Sequence, residues 1–192
     1  MSDIHLDFTG PFTFTEGDRC IFHVPVSASS GVYLWAIRQL DCDEYLMHYV
    51  GETARLAKRH REHMVQILGL NYGIWDPDEA QRGVSKLVWT GLWRDRSADG
   101  PARAIRAYAT HHDAAIRYLS VIEVFLVELQ VDGRLRKHVE GCLGWHIRSG
   151  YPQHKVLYPD DNHIGRTKEY RKGMMRISAP VVIRGLDPVI PY

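Results

Sequence analysis

Two apolar runs, GVYLWAI at 31–37 and YLMHYVG at 45–51, flank the polar segment QLDCDE. Both are β-branched and aromatic, which predicts the two strands of a β-hairpin. With the polar segment as the loop, Ile37 is expected opposite Tyr45, Trp35 opposite Met47 and Tyr33 opposite Tyr49, all on one face because side chains alternate. Thr53 is then the expected N-cap of a helix on which Leu56, His60, Met64 and Ile67 recur with a period of 3.6 and face a core. Arg55, Arg59 and His63 follow at i, i+4 and i+8 along the flank of that stripe.

The rest of the chain alternates between clear and obscure. Residues 1–30 are rich in Thr, Pro, Gly and Ser and read as an N-terminal elaboration with one strand at CIFHVPV. Residues 69–100 carry no firm periodicity and read as an insertion, which the expected helix at 101–119 completes; Pro101 suits a first helical turn. SVIEVFLVELQV predicts a strand ended by Asp132 and Gly133. RLRKHVEGCLGWHIRS predicts a helix that buries Leu135, Val139, Cys142, Leu143, His146 and Ile147, with Glu140 at the margin of the stripe. A strand at APVVIRGL closes the chain. The expected organisation is one domain of the α+β class, a small antiparallel or mixed sheet flanked by helices, divided into 1–30, a core at 31–68, an insertion at 69–119, a strand and helix at 120–165 and a basic segment at 166–192.

Composition narrows the function classes. Hydrophobic residues are 45% and charged residues 24% of the 192, the balance of a globular chain. The longest apolar run is broken by Glu123 and Glu128 and falls short of the roughly 20 residues that span a bilayer. The first residues, MSDIHLDF, carry acids where a signal peptide has basic residues, so a cytoplasmic location is expected. Three cysteines without a CxxC pair indicate neither a disulfide framework nor a zinc ribbon. A net charge of +1 excludes a global basic field, so any nucleic-acid contact must rest on local patches such as 55–63 and RTKEYRKGMMR at 166–176.

Gly31-Val32-Tyr33, Tyr49-Val50-Gly51, Arg59 eight residues past that glycine and His63 four further on together resemble the GIY-YIG nuclease superfamily. The resemblance covers most of 31–68 and, more loosely, 120–162. It implies a metal-dependent phosphodiester hydrolase acting on DNA. By that resemblance Tyr33 is the general base toward the attacking water, Tyr49 orients water or phosphate, Arg59 neutralises the phosphate, and His63 is the histidine one turn later. Glu140 corresponds to the glutamate that binds one divalent cation, Mg2+ or another such as Mn2+. Asn162 corresponds, with loose spacing, to an asparagine after that helix. The setting of the second tripeptide, HYVGET, departs from the family, where basic or small residues are commoner after the glycine.

Those roles agree with the chemistry. Charge growing on phosphate oxygens is stabilised by a fixed guanidinium and a hard cation, and a cation that keeps several waters needs few protein carboxylates. A tyrosine, with an ordinary pKa near 10, needs a neighbour that favours or receives its proton; Arg59, His63 and the metal are the candidates. Arg55, Lys58, Arg61, Arg166 and Lys168 are expected to meet neighbouring phosphates, with Arg55 also a rival to Arg59. Plainer readings stand beside these: an ordinary aromatic pair for Tyr33 and Tyr49, a solvated charge for Arg59, a helix-margin acid for Glu140, a packed residue for His63 and a solvated loop residue for Glu52. A zinc site from His138, Cys142 and His146 is disfavoured, since two helical turns separate the outer ligands. The expected function is a DNA endonuclease of restriction-like type with recognition in 69–119. A catalytically silent DNA-binding or interaction module and an RNA-processing hydrolase are the alternatives.

Overall fold

A computed structural model describes residues 3–15, 17–150 and 173–192. Five strands form its central sheet in the order β2 (Thr9–Phe12), β7 (Ile122–Glu128), β3 (Gly31–Arg38), β4 (Glu44–Thr53) and β9 (Val182–Arg184). β3 runs antiparallel to β4 and β7, whereas β4 and β9 are parallel, so the sheet is mixed. A three-stranded sheet joins β1 (Ile4–Asp7), β8 (Met174–Ser178) and β10 (Val189–Pro191), and a short ribbon pairs β5 (Ile74–Trp75) with β6 (Leu87–Trp89). Among the described residues the α-helices are α1 (Leu56–Leu68), α2 (Pro77–Gln81), α3 (Gly100–Val121) and α4 (Gly133–Gly150). The class is therefore α+β, with mixed sheets flanked by helices. None of these helices is long and apolar enough to cross a membrane.

Both faces of the central sheet are covered, which is why β3 reads as an unbroken apolar run. On one face Val32, Leu34, Ala36, Met47 and Val50 pack with Val139, Leu143 and Ile147 of α4 and with Leu6, Met175 and Ile190 of the smaller sheet. On the other, Tyr33, Trp35, Val124 and Leu126 pack with Leu56 and Ile67 of α1 and with Ala115, Tyr118 and Leu119 of α3.

The hairpin forms, but not in the expected register. Ala36 pairs with Met47 and Trp35 with Tyr49, so β4 carries one extra residue, His48, at a bulge. Its ring is buried and bonded to the Tyr118 hydroxyl. Because one residue of slip exchanges the faces of a strand, Tyr45 and Met47 lie on the α4 side while Tyr33, Trp35 and Tyr49 lie on the α1 side. Tyr33 stands opposite Gly51, not Tyr49.

Other expectations need adjustment. CIFHVPV is no strand: Ile21 donates its N–H to the Thr13 carbonyl at an isolated bridge between Thr13 and Cys20, His23 donates to the Cys20 carbonyl in a turn, and a 3-10 turn follows at Pro25–Ala28. Residues 4–12 of the expected N-terminal elaboration supply strands to both larger sheets. Helix α1 starts two residues later than Thr53 predicts; Thr53 ends β4, and its Oγ1 accepts the N–H of Arg55, the actual N-cap, at 3.1 Å. APVVIRGL shortens to β9, flanked by β8 and β10.

Candidate functional site

Both glycines of the hairpin answer a steric demand. A Cβ on Gly31 would stand 2.0 Å from the Val127 carbonyl oxygen of β7, and a Cβ on Gly51 would stand 2.3 Å from Cζ and Oη of Tyr33. The missing side chain at Gly51 lets the Tyr33 phenol lie across β4. Its hydroxyl then reaches Nε2 of His63 on α1 at 2.7 Å, with both residues buried. A Gly51→Ala variant is expected to push that ring aside and destabilise the fold by about 1–3 kcal/mol, the usual range for overpacking. Chemical denaturation checks this, and an unchanged midpoint would contradict the contact.

Electrostatics set the state of the pair. Burial, reinforced by the charge of Arg59 and by His60, holds His63 well below the ordinary imidazole range, so it is neutral at pH 7 and one ring nitrogen can accept a hydrogen bond. Burial raises the Tyr33 pKa well above 10; Tyr49 adds to the rise, and Arg59 works against it. The pair admits either a hydroxyl donating to Nε2 or Nε2–H donating to the phenolic oxygen. His60 lies on the same helix, its Nδ1–H donating to the Leu56 carbonyl at 2.8 Å, and its ring meets that of Tyr33 at 4.6 Å. The Tyr49 ring lies 5.9 Å from that of Tyr33 and 5.5 Å from that of His63. The tyrosines are close, though by a diagonal contact.

Arg59 and Glu140 come to this place from opposite faces of the sheet. The described part of β9 pairs only with Glu44–Leu46, so the edge of β4 near Gly51 lies open among the described residues, and the two faces meet around it. A groove of about 540 Å³ there is lined by Glu52, Arg55, Lys58, Arg59, Glu62 and Glu140, among others. Arg59 is half-buried and its Nη1 donates to Glu62 at 3.3 Å; Lys58 reaches the same carboxylate at 3.8 Å. Arg61 is exposed on α1 and does not line the groove. Asn162, Arg166 and Lys168 lie outside the described residues.

Glu140 accepts the backbone N–H of Glu52 at 3.2 Å. Burial first, and the Glu52 carboxylate second, push its pKa up to about 7, against the pull of that N–H and of Arg59. Glu52 is not the solvated loop residue its sequence context suggests. It belongs to β4, only 14% of its side chain is exposed, and it pairs with Arg136 of α4 at 3.2 Å. Strand parity could have found it: Glu52 shares the face of Val50, which packs toward α4. Two oxygen donors that repel one another suit a hard divalent cation, which would relieve the repulsion and complete its shell with water. They are a pair only; no group of three or more His, Cys, Asp or Glu that could hold a metal occurs among the described residues. The helix positions weighed for zinc are otherwise engaged, His138 Nε2 with Cys142 Sγ at 3.6 Å and His146 Nε2 with Asp187 at 2.8 Å.

Comparison with protein families, curated proteins and solved structures returned no match for this chain. The functional reading therefore rests on its own residues.

Proposed function

We propose that the protein is a metal-dependent endonuclease of the GIY-YIG type that hydrolyses DNA phosphodiester bonds. The observation that carries this reading is the buried Tyr33 hydroxyl, 2.7 Å from a neutral His63 and made possible by Gly51, beside a rim that bears Arg59 and Glu140. A plain aromatic pair has no need of a neutral histidine on the phenol.

The Tyr33 hydroxyl is fully buried, so DNA binding must first open it to a water at the scissile phosphate; that water's proton then passes to the Tyr33 oxygen as Tyr33 passes its own to His63 Nε2. The neutral phenol thereby relays the proton without becoming a phenolate, and the negative charge of the bound phosphate would offset the cost of the imidazolium formed on buried His63. Tyr49, partly exposed beside Tyr33, orients the water or a phosphate oxygen. Arg59 exchanges its bond to Glu62 for a charge-assisted bond to a non-bridging oxygen, strongest when charge is greatest there. Glu140, with Glu52 beside it, would hold the divalent cation, whose bound form supplies Lewis-acid stabilisation of the phosphate and leaving oxygen. Arg55 and Lys58 line the same groove and suit adjacent phosphates, a salt-sensitive contribution to binding. Restriction-like cleavage with recognition through 69–119 is the subclass that follows.

The test is incubation of supercoiled plasmid with the protein and Mg2+, or with EDTA. Cleavage that requires the cation supports a nuclease, and discrete fragments support the restriction-like subclass. Intact DNA with several metals favours a catalytically silent binding module, for which the engagement of Arg59 by Glu62 is the one supporting contact. The pH dependence has a definite sign. Below about pH 7 Glu140 is protonated and cannot hold the cation, so the rate at limiting Mg2+ is expected to rise between pH 6 and 8. The slope approaches roughly tenfold per pH unit on the acid side of a single ionisation. A flat profile at limiting Mg2+ would remove Glu140 from the metal site.

A further inference from the structure

A second cavity, of about 360 Å³, has Tyr49 and His63 in its wall and shares no lining residue with the groove of charges. Its wall includes both of those residues together with Trp35, Tyr72, Trp93 and Asn71. That volume lies in the range of small-ligand pockets. Two polar atoms of its lining residues are buried without a partner, Nε1 of Trp35 and Nδ1 of His63. Such groups are rare in a folded interior, and both atoms are closed to solvent, so a ligand reaches them only where a side chain moves. Indole N–H can only donate, while Nδ1 donates or accepts according to the tautomer set by Tyr33. Trp93 is 59% exposed although it lines the cavity, and its ring meets that of Tyr72 edge-on at 5.1 Å.

A planar heteroaromatic ring with hydrogen-bonding edges fits these features better than an aliphatic ligand. Aromatic faces accept stacking, the Asn71 amide suits an in-plane polar edge, and Arg94 on the same wall suits the phosphate attached to such a ring. We propose that the cavity receives one unstacked base of the DNA strand whose phosphate lies beside Tyr33. This rests on the nuclease reading of that site. Extruding a base into a pocket that stacks and hydrogen-bonds it is an established way for a protein to handle a single nucleotide, and it would anchor the strand beside the tyrosine–histidine pair.

The test compares binding, in EDTA, of a fluorescein-labelled mixed-sequence 12-nucleotide single strand and of the same strand built from abasic units, to the full chain and to Trp93→Ala. Trp93 is largely in solvent, so its loss leaves the core intact; circular dichroism checks this, and Asn71→Ala provides a second variant. The normal strand is expected to bind the parent about tenfold or more tightly than the abasic strand, and Trp93→Ala to remove most of that difference while leaving abasic binding unchanged. Equal binding of both strands by the parent, or an equal effect of Trp93→Ala on both, would overturn the proposal. Plasmid cleavage judges the other reading separately. Cleavage with no base dependence discards the pocket and keeps the nuclease, and base-dependent binding without cleavage does the reverse.

Discussion

Tyr33→Phe is expected to fold as the parent does and to cleave plasmid more slowly by roughly two to four orders of magnitude, the usual worth of a positioned proton-transfer group. The phenyl ring keeps its place over Gly51, because the substitution removes only the hydroxyl. What disappears is the one group that links the attacking water to His63 Nε2. The same change leaves Nε2 unpaired in the interior, beside an Nδ1 already unpaired. A stability loss of about 1–3 kcal/mol is therefore expected, the cost of an unsatisfied buried group. Single-turnover cleavage and urea denaturation separate the two effects. A rate within a factor of about five of the parent's would show that Tyr33 is not the base, since acid–base catalysis of that small size is below its ordinary range.

Glu140→Gln is expected to lower Mg2+-dependent cleavage by roughly three orders of magnitude, because the stabilisation supplied by a bound cation amounts to several kcal/mol. The variant also separates metal binding from folding. In the folded protein the Glu140 pKa is raised from 4.5 to about 7. A group raised in this way contributes stability that is complete below pH 4.5 and is lost as the pH rises through about 7. Metal-free Glu140→Gln is therefore expected to match the parent near pH 4 and to be the more stable of the two at pH 8, where the parent buries a charge beside Glu52. With Mg2+ at pH 8 the order is expected to change, since only the parent gains stability from binding the ion. Thermal denaturation at two pH values, with and without Mg2+, reads all four states. A parent whose melting temperature ignores Mg2+ would mean that the Glu52–Glu140 pair does not hold the cation.

The local elements were largely legible. Apolar runs marked β3, β4 and β7, and the 3.6 period marked α1, with Leu56, His60 and Ile67 buried as the stripe requires. The helices expected at 101–119 and 134–149 appear as α3 and α4, each extended at its ends. Of the two sequence readings of His63, on the flank or in the packed stripe, the buried one holds. Seven residues after Leu56, it lies only about 20° around the helix from that buried residue, and the rings of Trp35, Tyr49 and Tyr72 enclose it.

What failed was whatever depended on pairing partners. The bulge at His48 is invisible in a run whose residues are apolar on both faces, because alternation carries no information when both faces are covered. Strands at residues 4–12 were missed for a related reason. Such short segments have weak local preference, and they form because exposed sheet edges need partners for their backbone groups.

By itself the sequence determined the α+β class, the hairpin, the main helices and the presence of Tyr33, Tyr49, Arg59, His63 and Glu140 at suggestive spacings. Only the tertiary structure decided that Tyr33 crosses Gly51 to a neutral His63, that Glu52 and Arg136 join Glu140, and that a cavity of aromatic rings adjoins them. The reason is physical. Periodicity and capping are encoded within a few neighbouring residues, whereas proton affinity, carboxylate repulsion and cavity walls arise from groups brought together across the chain and shielded from water.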